Sequence, residues 1–130
     1  MGLIWWLWVG YWILLGVVMH LPRPPGGFLV RRIGDVVAHG AVYFLLAMLG
    51  GWSALRRGRR LDAAWGLTWL AIYTVYGAAD ELLQPLSNRS CEFSDWLGDL
   101  AGAGLAQLVL VWLTGRRAAT GALPQPNEPA

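Results

Sequence analysis

Long apolar runs alternate along the chain with short clusters of Arg, Pro and acids. From Leu3 to His20 no Asp, Glu, Lys or Arg interrupts the sequence. The stretch "LPRPPGG" then stops the run, because Pro removes backbone donors and Gly loosens the chain. A second apolar run covers 33–55 and ends at "RRGRRLD". A third covers 63–83 and is closed by Pro85. A fourth covers 94–114, with Ser94 placed to act as its N-cap. Each run reaches the ~17–25 residues that a membrane-crossing helix needs. The pattern predicts an all-α membrane protein: a bundle of four transmembrane helices at 3–20, 33–55, 63–83 and 94–114, forming one domain over residues 1–114. The remaining "GRRAATGALPQPNEPA" is rich in Pro and Ala and poor in apolar bulk, so 115–130 reads as a disordered tail.

Composition strengthens this reading. Apolar residues make up 56% of the chain and charged residues 14%, against about 25% charged in an ordinary soluble domain. The net charge of +2 is too small to point to nucleic acid. The single cysteine, Cys91, rules out an intrachain disulfide. No Lys or Arg precedes the first run and no small-x-small cleavage site follows it, so it reads as a retained helix. With four helices, Arg56, Arg57, Arg59, Arg60, Arg116 and Arg117 share one face of the membrane. Arg23, Arg31, Arg32 and Arg89 share the other. The more basic face belongs inside, which puts both termini on the cytoplasmic side. Trp5, Trp6, Trp52, Trp65 and Trp112 fall near that inner boundary, as an interfacial belt would.

Polar residues gather at the other end. Asp35, His39 and Tyr43 follow one another at four-residue steps, on one face of the second helix. Tyr73, Gly77, Glu81 and Gln84 form a stripe on the third, and Asp95, Asp99 and Gly102 on the fourth. Three helices thus carry polar faces at one depth. An acid near the bilayer centre costs ~2.5–3.5 kcal/mol, less toward the interface. Asp95 is explained by the helix macrodipole, which favours anions at an N-terminus. Asp99 lies a turn deeper and four residues from a like charge. Glu81 stands near a helix C-terminus, where the dipole opposes it. Both therefore need partners, and Arg89, His39 or a bound cation would supply them. Position alone puts Asp80 toward the outer interface. Gly98, Gly102 and Ala106 read as a close-packing step between helices.

"GDVVAHGAVYFLL" together with "YGAADELLQPLSNRSCEFSDWLGDLAGAGLA" resembles the VanZ-like family of small bacterial membrane proteins. The family pattern has Asp, His and Tyr at four-residue steps, matched by Asp35, His39 and Tyr43. It continues with Asp-Glu and a Gln three residues later, matched by Asp80, Glu81 and Gln84. An Arg, an Asp, a second acid or Asn four residues on, and a Gly follow, matched by Arg89, Asp95, Asp99 and Gly102. The resemblance covers residues 3–114. Two departures stand out: Val36 replaces a Lys common in the family, and Asn88 stands where a Gly precedes the Arg. The family takes its name from a protein linked to resistance against teicoplanin, a lipid-tailed glycopeptide, so the resemblance implies a role in the cell envelope.

Two functions fit. The first is a non-catalytic envelope protein whose outer pocket binds a lipid headgroup, a lipid-linked precursor or a lipoglycopeptide. Tyr43, Asp80, Gln84, Arg89 and Asp95 would line this pocket, and Arg31, Arg32 and Arg89 suit phosphates. The second is a membrane-embedded enzyme acting on a lipid-linked substrate. His39 would be its acid or base and Asp35 would orient the ring, with Glu81 and Asp99 as further catalytic candidates. The sequence requires no cofactor, but Glu81, Asp95 and Asp99 offer hard oxygen ligands for a divalent cation.

Overall fold

The computed structural model describes residues 2–21 and 28–119, with only the backbone for 28–33 and 117–119. Arg23, the tail from residue 120, and the side chains of Arg31, Arg32 and Arg117 lie outside the described residues. Four α-helices follow in order: α1 (Leu3–Met19), α2 (Phe28–Leu55), α3 (Ala63–Leu83) and α4 (Phe93–Ala119). A short 3-10 turn, Gln84–Ser87, follows α3 and carries Pro85 in its first turn. Among the described residues the fold is all helical.

Local chemistry accounts for the boundaries. The carboxylate of Asp62 accepts the Trp65 N–H at 2.8 Å and caps α3. Two helices run further than the apolar pattern indicated. α2 begins at Phe28, because no Pro or Gly interrupts the five residues from there to Arg32. α4 continues to Ala119, so 115–119 is helical rather than part of a tail. Arg and Ala are strong helix formers, and cations suit a helix C-terminus. Arg116 also lies over the Trp112 ring, 4.7 Å from its centroid. Ser94 is the second residue of α4 rather than its cap.

α2 and α4 form the most extensive helix pair, with α3 packed on α4 and α1 on α2. Glycine explains the closeness of the first pair. A methyl group on Gly102 would fall 1.9 Å from the Gly40 carbonyl oxygen, and one on Gly98 would fall 2.6 Å from that of Val36. The α1–α3 gap is instead filled by rings. Trp8 meets Trp69 at 5.3 Å, and Trp12 meets Tyr73 at 5.7 Å and Tyr76 at 5.4 Å.

Gly34–Leu55 and Phe93–Arg116 are long and apolar enough to cross a membrane. α1 is apolar but shorter, at 17 residues. α3 has the length, but Thr68, Thr74, Asp80 and Glu81 dilute its apolar character. Large apolar side chains nevertheless face outward on all four helices, among them Ile13 (65% exposed), Val37 (64%), Val75 (70%) and Leu108 (71%).

Candidate functional site

The interior is where the polar groups go. His39, Asp80, Glu81, Gln84, Asp95 and Asp99 are all buried. They meet at the end of the bundle where α2 begins, α3 ends and α4 starts. His39 is the hub. Its Nδ1 lies 3.0 Å from Asp99 Oδ1 and 3.8 Å from Glu81 Oε1, and its Nε2 lies 3.7 Å from Asp95 Oδ2. With the proton on Nδ1, the ring donates a hydrogen bond to Asp99.

Each acid is held by its own local chemistry. Glu81, opposed by the α3 dipole, accepts hydrogen bonds from Gln84 Nε2 at 2.5 Å and from the Glu92 backbone N–H at 2.9 Å. The second donor comes from the approach to α4, so the 3-10 turn folds the chain back over the cluster. Asp95 lies in the first turn of α4, where its charge suits the helix dipole. Asp99 Oδ2 and the Tyr43 hydroxyl both face α3 at Gly77. A methyl group there would sit 3.0 Å and 3.4 Å from them. These two oxygens and Gln84 Oε1 are buried without a hydrogen-bond partner among the described residues.

Other predicted residues stand at the edge of this cluster. Asp35 is half-buried on α2, one turn before His39. Asp80, whose position suggested the interface, is buried, with Oδ1 3.6 Å from His20 Nδ1 at the end of α1. Arg89 donates from Nη1 to the Met19 carbonyl, pinning the α3–α4 loop to α1. Its Nε is buried without a hydrogen-bond partner among the described residues. Cys91 and Glu92 lie in the same loop, the former exposed.

His39, Glu81 and Asp99 each offer one ligand atom, and these atoms lie within 4.8 Å of one another. The group differs from the predicted all-carboxylate set by having the imidazole in place of Asp95. One imidazole and two carboxylates suit Mn²⁺, Zn²⁺ or Fe²⁺ better than Ca²⁺, which prefers oxygen alone. Ligands next to one another around an ion with bonds of ~2.1 Å stand roughly 3 Å apart. The 3.0 Å and 3.8 Å separations are close to that spacing.

Sequence reasoning missed His20, Gly40, Ser53 and Gln107. Gln107 is buried, two four-residue steps beyond Asp99 through Ala103, so continuing the α4 stripe would have found it. Gly40 had no such signal, having no small residue four positions before or after it in α2. No family model, curated protein or solved structure matches the chain.

Proposed function

We propose that the chain is a multi-pass protein of the bacterial cytoplasmic membrane, with all four helices crossing it. In this reading it acts on a lipid-linked envelope substrate at a divalent-cation centre held by His39, Glu81 and Asp99. The apolar side chains facing outward on every helix support the membrane part. The resemblance to the VanZ-like family supports the envelope part. The convergence of three buried ligand atoms from three helices carries the centre itself. A buried imidazole and two carboxylates are costly to keep in a membrane interior unless something is gained there. A cation in this group would polarise a substrate oxygen or activate water. Asp95, beside Nε2, would fix the ring.

A second reading rests on one observation: Arg89 keeps a buried Nε without a hydrogen-bond partner. In that reading Arg89, with Tyr43 and Gln84, binds the phosphate of a lipid headgroup, a lipid-linked precursor or a lipoglycopeptide, and no reaction follows.

One experiment separates the two. The protein is purified in detergent after growth with Mn²⁺ and Zn²⁺, and bound metal is measured by mass spectrometry. About one equivalent should accompany the wild type and Arg89→Ala. Asp99→Asn and Glu81→Gln should retain less than about a tenth of that, with unchanged helical circular dichroism. A wild type that carries no metal, or variants that carry as much, would rule out the cation centre and leave the binding reading.

A further inference from the structure

The opposite end of the bundle holds a second feature that the His39 centre does not use. A cavity of about 270 Å³ opens between α1, α2 and α3, lined by the indoles of Trp8, Trp65 and Trp69 and by Arg57 and Arg59. Gly50 and Ala54 of α2 complete the lining. We propose that this cavity binds the phosphate headgroup of an anionic phospholipid from the leaflet at that end.

Three observations carry the assignment. The first is charge. Arg57 and Arg59 line the cavity, Arg56 and Arg60 adjoin them in the same loop, and the nearby carboxylate of Asp62 caps α3. The second is preorganisation. Arg57 donates from Nε to the Ser53 carbonyl at 3.3 Å and from Nη2 to the Ser53 hydroxyl at 3.2 Å. Its guanidinium lies 5.9 Å from the Trp5 ring centroid. The group is thus fixed in place, with Nη1 outside these contacts. Arg59 is exposed; its backbone N–H donates to the Ala54 carbonyl at 3.1 Å, and its guanidinium makes no hydrogen bond or ion pair among the described residues. A planar guanidinium held still is well suited to phosphate oxygens.

The third observation is the match of size and surroundings. The volume sits just below the ~300–1,000 Å³ of ligand pockets, which suits a headgroup rather than a whole lipid. Trp6, Trp52 and Trp112 are exposed around the same end, where indoles prefer the headgroup zone of a bilayer. Basic pockets between helices on the inner side of a membrane are suited to anionic headgroups. The inference needs the chain to lie in a membrane, but it does not depend on the cation centre.

The test uses the full chain in detergent micelles doped with phosphatidylglycerol or phosphatidylcholine, with bound lipid read by native mass spectrometry. Wild type should retain one phosphatidylglycerol at least about tenfold more than phosphatidylcholine. Arg57→Gln with Arg59→Gln should bring that ratio close to one. Arg56→Gln with Arg60→Gln removes the same charge outside the cavity lining and should leave most of the preference. Equal retention of the two lipids by wild type would overturn the proposal. So would equal losses in the two double variants, which would mean bulk charge, or displacement of the lipid by millimolar inorganic phosphate, which would mean a free-anion site.

Discussion

Asn88 closes the 3-10 turn with φ 57° and ψ 33°, in the left-handed region. Its N–H and that of Arg89 return to carbonyls of the turn, Pro85 and Gln84 among them. A side chain costs ~1–2 kcal/mol in this conformation, least for Asn and nothing for Gly. Asn88 therefore meets a backbone requirement that Gly alone would meet at less cost. Asn88→Gly should leave the thermal midpoint in detergent unchanged or slightly raised. Asn88→Val should lose about 1–2 kcal/mol. A valine variant as stable as wild type would mean that the loop takes another shape. The same turn shows what could be read at the level of single residues. The step from Glu81 to Gln84 was visible as a helical stripe, and the two do bond. The second donor to Glu81, the N–H of Glu92, was not visible, since a backbone group carries no sequence signature. The bond from Arg89 to the Met19 carbonyl was hidden for the same reason.

Between elements, the close α2–α4 contact holds the site in register. Gly40 lies next to His39, and Gly98 next to Asp99, so the backbone contact and the imidazole–carboxylate contact are neighbours. Gly102→Ala should force the helices apart and cost about 3 kcal/mol or more, since the new methyl group meets backbone and not a movable side chain. Gly104→Ala is the matched control. Its methyl group would meet only Leu70 Cδ1, at 3.9 Å, so it should be neutral or stabilising by up to about 1 kcal/mol. Unfolding in a detergent series measures both, and equal stability of the two variants would contradict the close approach. Three of the four helix starts and three of the four stops were legible from Pro, Gly and the apolar runs, the α2 start and the α4 stop being the exceptions. The pairing of the second helix with the fourth was not, because a small-xxx-small step shows that a helix packs closely without naming its partner.

At the scale of the whole molecule, a cluster of acids and an imidazole is buried beside an apolar core, while many leucines and valines face outward. In the proposed topology the His39 end faces outward. Cys91, the single cysteine of the chain, is exposed in the loop at that end. A membrane-impermeant maleimide should label it in intact cells or spheroplasts. Labelling only after the membrane is opened would invert the bundle. The distance along the chain between His39 and Asp99 has a consequence for biogenesis. Sixty residues separate the two groups, and α4 leaves the ribosome after α2 and α3. At synthesis rates of about 5–20 residues per second, the imidazole waits roughly 3–12 s for its carboxylate. During that interval the imidazole has only the more distant Glu81 of α3 to meet, and its nearest carboxylate comes with α4. The nascent protein is therefore most exposed to quality-control proteases just before α4 emerges.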